Sequence, residues 1–154
     1  MRKIYMSLDA LPNSFVEPLA VTSLATGNYT CIAWALEDTT HFYWTGPEYF
    51  FYWESDLLRE ETMDAFVQLF KKYGYEICEN ALKERGFTKI ALFAKDNIPT
   101  HAARQLPSGL WTSKLGILED ARHTLFAISD GLYGSVALIL KRKNDWKVDS
   151  TPSV

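Results

Sequence analysis

Cysteine is scarce in this chain, which carries only Cys31 and Cys78. Two thiols could form one disulfide, but nothing else marks the chain as secreted, so both are expected free in a reducing, cytoplasmic compartment. An excess of basic residues is also missing. Sixteen Lys and Arg stand against nineteen Asp and Glu, for a net charge of −3. Nucleic acid is therefore not an expected partner. No apolar run approaches the ~20 residues of a membrane span, so no membrane partner is expected either. Met1–Tyr5 has basic residues, but Asp9 and Pro12 interrupt any apolar run that could make a signal peptide. Cys31, Cys78, His41, His101 and His123 lack metal-ligand spacing. There is no glycine-rich phosphate loop and no serine-elbow motif, so no metal or cofactor is expected.

What the chain does have is apolar and aromatic bulk, 47% and 14% of its 154 residues. That is enough for one domain with a proper core, expected over 1–143, with 144–154 as a flexible C-terminal tail. Residues 1–28 hold no period for long and read as an irregular lead-in. Cys31–Leu36 is rich in Ala and Leu and helix-compatible, with Thr30 or Asn28 as its cap. Eight of the twelve residues from Phe42 to Trp53 are aromatic, split by Gly46-Pro47. This stretch reads as a loop capping the core, as an aromatic wall beside a binding cleft, or as both. Met63, Phe66, Val67, Phe70 and Tyr73 form one stripe of a helix expected over Glu60–Tyr73 and stopped by Gly74.

Thr88–Ala94 reads as an internal strand, and Asp96-Asn97 as a turn. His101–Leu106 and Leu110–Leu115 read as a hairpin around Pro107-Ser108-Gly109. Leu118–Ile128 is expected to be a short helix or irregular crossing, and Ser135–Leu140 a last buried strand. The expected fold is α+β, a papain-like arrangement in which an N-terminal helical half packs on a small antiparallel sheet of roughly four or five strands.

Cys31 at a helix start, followed roughly seventy residues later by His101 on a strand, has the chain order of papain-like thiol hydrolases. Such a mechanism needs an imidazole to take the thiol proton and backbone N–H groups to receive an oxyanion. The third group follows from hairpin register. With a three-residue loop, Leu106 pairs with Leu110, and Ser113 shares the His101 face as the expected orienter of its ring. Cys31, His101 and Ser113 are thus the candidate catalytic residues. Trp34, Trp44, Trp53 and Trp111 are the candidate substrate contacts. Arg104 and Lys114 fall on the other hairpin face and read as surface charge.

Thr30-Cys31-Ile32-Ala33-Trp34-Ala35-Leu36 resembles the Cys-Ile-Ala-Trp-Ala motif of an uncharacterised bacterial family, a domain of unknown function. The same holds for Thr100-His101-Ala102-Ala103-Arg104-Gln105-Leu106 through Trp111-Thr112-Ser113-Lys114-Leu115-Gly116, and for Tyr133-Gly134. That family commonly has Asn directly before the cysteine, where this chain has Thr30. By analogy, the resemblance implies papain-like cell-wall endopeptidases and amidases as relatives in organisation. The expected function is a thiol hydrolase or acyltransferase acting through a Cys31–His101 dyad on an amide or peptide-like carbonyl. The alternative is a non-catalytic module of the same fold that binds a ligand or protein partner on its aromatic surface.

Overall fold

The computed structural model describes residues 3–4, 11–17, 19–22, 28–115 and 119–147. Residues 1–2, 5–10, 18 and 23–27 of the expected lead-in, Gly116 and Leu118, and 148–154 of the expected tail lie outside them. The two α-helices among the described residues are short: α1 (Cys31–Ala35) and α2 (Met63–Lys72). The strands are β1 (Lys3–Ile4), β2 (Leu19–Val21), β3 (Glu76–Cys78), β4 (Phe87–Lys95), β5 (Ile98–Gln105), β6 (Trp111–Lys114), β7 (Asp120–His123) and β8 (Ser135–Lys143). They form one sheet in the order β1-β2-β7-β6-β5-β4-β8-β3, and every pairing is antiparallel.

The expected papain-like α+β fold with a helical half is therefore wrong, and the protein is β-rich. The N-terminal half lacks a sustained 3.6-residue period outside Cys31–Leu36 and Met63–Tyr73. α1 stops after five residues, where Glu37 takes a left-handed φ of 63°. Residues 37–62 contain no helix, and β1 and β2 extend the sheet instead. The crossing expected from Leu118 is also corrected, because Asp120–His123 is β7, paired along the whole of β6. Without β7, the backbone groups of β6 would form an open edge beneath fully buried side chains.

The hairpin register is the one the turn chemistry predicts. Arg104 faces Thr112 and Gln105 faces Trp111. Leu106 N–H donates to the Leu110 carbonyl at 2.7 Å, closing the loop of Pro107, Ser108 and Gly109. Asp96 and Asn97 both have positive φ, so the β4–β5 connection is a two-residue turn of the primed kind.

Strand alternation gives the sheet two apolar faces. Ile90, Leu92, Ala102 and Leu140 pack against α1, α2 and the aromatic stretch. Ala91, Phe93, Ala103, Trp111, Leu115 and Ile139 pack against Leu11, Leu19, Ala127, Ile128 and Tyr133. α2 holds its place by burying Ala65, Phe66, Val67, Leu69 and Phe70, and Thr62 caps it by accepting from Ala65 N–H. Asn144–Lys147 stays near the body, where Trp146 lies 5.0 Å from the Arg142 guanidinium. No helix among the described residues is long and apolar enough to cross a membrane.

Candidate functional site

A five-residue helix is too short to stand alone in water, so α1 needs its surroundings. Thr30 Oγ1 accepts from Ala33 N–H at 3.2 Å, which ties down the first turn without the asparagine seen in the resembled family. Ile32, Ala33 and Ala35 are buried against the sheet. This seating places Cys31 beside the start of β5.

Cys31 and His101 line one cavity of about 230 Å³ together with Thr30, Phe42, Trp44, Phe51, Thr100 and Tyr133. Cys31 belongs to the helix-covered core, and His101 has the parity of Ala103, which faces the opposite core. The cavity therefore lies where the two faces meet at the start of β5. Burial pushes the Cys31 thiol up to about 11, against the pull of the Ala102, Ile32 and Cys31 backbone N–H groups and the Lys114 charge. Burial also holds the His101 imidazole well below its usual range, with neighbouring His123 adding to the effect. Both groups are thus uncharged at neutral pH. No hydrogen bond joins them, and His101 Nε2 is buried without a partner.

The His101 ring is held by stacking. Tyr133 lies 3.8 Å away, centroid to centroid, at an interplanar angle of 12°, and Phe93 meets the ring edge-on at 5.8 Å. Thr100 Oγ1 donates to the Tyr133 carbonyl and fixes the turn that carries it. A Cβ on Gly134 would lie 2.2 Å from the Ala94 carbonyl oxygen, so only glycine lets this turn sit against β4. Sequence reading alone misses Tyr133 as a partner of His101. Its signals are the family-like Tyr133-Gly134 pair and a glycine that admits no side chain, neither of which names His101 as the partner.

Ser113 does share the His101 face, since it stands opposite Ala121 beside Ala103. Its hydroxyl, however, bonds His123 Nε2 at 2.6 Å. His123 Nδ1 meets the Thr124 carbonyl at 2.8 Å, and a carbonyl can only accept, so Nδ1 carries the proton and Ser113 donates to Nε2. The expected role of Ser113 as orienter of His101 is corrected: His123, on the neighbouring strand, takes its hydrogen bond. Burial pushes His123 down to about 4.

Of the four candidate tryptophans, only Trp44 lines the cavity. Trp34 stacks on Tyr29 and donates to Thr112 Oγ1 at 3.0 Å. Trp53 packs on Phe66 and donates to the Leu58 carbonyl at 3.0 Å. Trp111 is buried in the core on the His123 side. The aromatic stretch proves both wall and core cap. Phe42, Trp44 and Phe51 face the cavity, whereas Tyr43 and Trp53 are buried. Arg59 donates to the Gly46 carbonyl at 3.0 and 2.6 Å and to the Phe51 carbonyl at 2.9 Å, stapling the two arms together. A Cβ on Gly46 would come within 2.4 Å of the Phe51 ring, so the ring lies where a side chain would have been.

Lys114 is not surface charge but fully buried, opposite Asp120 and 5.4 Å from the Tyr29 ring. Tyr29 donates to Asp120 Oδ2 at 2.6 Å. His41 is held by Asp38 at 2.7 Å and tilts against Tyr52. Among the described residues, no three His, Cys, Asp or Glu side chains are grouped to hold a metal ion.

No curated protein and no solved structure matches this chain. Residues 20–141 match the family model described as a domain of unknown function (DUF7689), and the chain belongs to that family.

Proposed function

We propose that this domain is a thiol hydrolase or acyltransferase, with Cys31 as nucleophile and His101 as base on an amide or peptide-like carbonyl. One observation carries the reading: a cysteine and an unprotonated histidine line the same small cavity. In the reaction, the Cys31 thiol proton passes to His101 as the Sγ–C bond forms. The developing oxyanion is received by backbone N–H groups near the sulfur. The imidazolium then protonates the leaving amine as the C–N bond breaks. Water or a second nucleophile then adds to the acyl carbon as His101 takes its proton, and that proton returns to Cys31 Sγ as the C–S bond breaks. Both cysteines are free thiols, which suits a reducing, cytoplasmic setting.

The second reading is a binding module that keeps the cavity without the chemistry. It draws on the missing Cys31–His101 hydrogen bond and on a thiol raised to about 11, of which about one in ten thousand is thiolate at pH 7. Intact mass after incubation with an activated arylacetyl ester separates the two. The hydrolase reading expects one acyl group on Cys31, none on Cys31→Ser, and slower acylation in His101→Gln. Absence of any Cys31 acyl adduct leaves the binding module.

A further inference from the structure

We propose that the cavity beside Cys31 receives an uncharged aromatic ring attached to a carbonyl, so that the group presented to the thiol is an aryl or arylalkyl acyl unit. This identifies the substrate class of the site proposed above and rests on that reading. The lining contributes four aromatic rings, Phe42, Trp44, Phe51 and Tyr133, and no carboxylate, lysine or arginine. Its thiol and imidazole are both neutral at neutral pH. A charged group entering this space would lose hydration and meet no counter-charge in the lining, since Lys114, which pulls on the Cys31 thiol from outside it, already stands opposite Asp120.

Size narrows the class. An apolar cavity of about 150 Å³ accepts benzene, whereas drug-sized ligands need about 300 Å³ or more. At about 230 Å³, this cavity suits one ring with a short linker. The larger cavity of about 370 Å³ nearby adds Glu48, Glu54 and Arg59 to an aromatic lining of Phe51, Tyr52 and Trp53 and holds neither thiol nor imidazole.

The carbonyl comes with the acyl chemistry of the reading above, not from the lining, whose polar groups are engaged or buried. Thr30 Oγ1 is engaged by Ala33 N–H, and Thr100 Oγ1 by the Tyr133 carbonyl. His101, 1% exposed, keeps a buried Nε2 with no partner. The wall is built to keep its shape. Phe42 stacks on Phe51 at 16°, and the Phe50 ring, near the exposed surface, meets both edge-on. A rigid wall of ring faces and edges favours a flat ring over a flexible chain.

Cys78 provides an internal reference, since it is a second free thiol outside the cavity. The intact protein is alkylated with N-benzyl iodoacetamide, N-cyclohexylmethyl iodoacetamide, iodoacetamide and iodoacetate, and both cysteines are followed by peptide mass. Normalised to Cys78, the benzyl reagent is expected to label Cys31 at least tenfold faster than iodoacetamide and with saturation. The cyclohexylmethyl reagent should fall between them, and iodoacetate should be slowest. Phe51→Leu should bring the benzyl preference down several-fold while Cys78 labelling is unchanged. Phe42→Leu serves the same purpose if Phe51→Leu does not fold. Equal benzyl and iodoacetamide ratios at the two cysteines overturn the proposal, and so does cyclohexylmethyl matching benzyl. Alkylation needs no catalytic base, so a benzyl preference without any acyl adduct would defeat the hydrolase reading and leave this one standing.

Discussion

Around β5–β7, the two faces of the sheet bury titratable side chains in opposite ways. On the helix-covered face the charges are kept and matched. Lys114 stands opposite Asp120, and Arg104 and Arg142 both reach Glu37, at 3.8 and 3.4 Å. On the other face the charge is removed, and His101 and His123 are buried as neutral rings. Matched charges keep their charge on folding where a partner opposes burial, as the Asp120 charge does against the burial that pulls Lys114 down. Neutral buried histidines do not, because the unfolded chain takes protons that the folded one refuses.

Acid should expose that difference most strongly. His123 titrates near 4 when folded and at an ordinary 6.5 when unfolded. Its contribution is complete above pH 6.5 and is lost as pH falls towards 4, about 3 kcal/mol in all at 1.36 kcal/mol per unit. His101 is shifted the same way and adds to the slope. Urea unfolding at pH 7, 6, 5 and 4 measures this, and His123→Phe should flatten the curve. A flat wild-type profile would erase the contrast between the faces.

Removing packing from the helix-covered face should cost nearly as much but without pH dependence. Leu69 is fully buried in α2, so Leu69→Ala is expected to lose about 3 kcal/mol. The loss should be equal at pH 7 and pH 5 by the same urea titration. A pH-dependent loss would mean that the two faces are coupled.

Ser113→Ala sharpens the contrast within the histidine face. His123 Nε2 would lose its donor, which costs about 1–2 kcal/mol of stability by thermal melting. Acylation of Cys31 should continue at the wild-type rate, since Ser113 bonds His123 and not His101. A large fall in acylation with little change in melting would return Ser113 to the catalytic set. The smallest effect belongs to Glu37→Gln. Glu37 is 56% exposed, so releasing Arg104 and Arg142 should cost about 0.5 kcal/mol, shrinking further in salt.

The sequence is most legible where a single local interaction decides the outcome. Pro107-Ser108-Gly109 sets one loop length and therefore the hairpin register. The stripe from Met63 to Tyr73 leaves α2 little alternative. Asp120–His123 is less legible, because its charges suggest solvent and only pairing with β6 explains their burial. Cys31 and His101 can be nominated from residue type and spacing. What holds His101 cannot, because Tyr133 comes to it through a turn that depends on the shape of β4. The helical half failed for a related reason: residue type near Cys31 suits helix, but the strands further along the chain recruit the N-terminal segment to their edge.

The position of β8 also imposes an order of events during synthesis. β4, β5, β6 and β7 follow one another as a meander, and each can join its neighbour soon after it leaves the ribosome. β3 is made before all of them yet has β8 as its partner, and β8 is also the second neighbour of β4. The nascent chain must therefore leave β3 unpaired for some sixty residues, from Cys78 to Ser135, and the outer edge of β4 for some forty, from Lys95. Tyr133 emerges just ahead of β8. The ring that supports His101 thus arrives with the strand that completes the sheet, and the cavity cannot be assembled on a half-made chain.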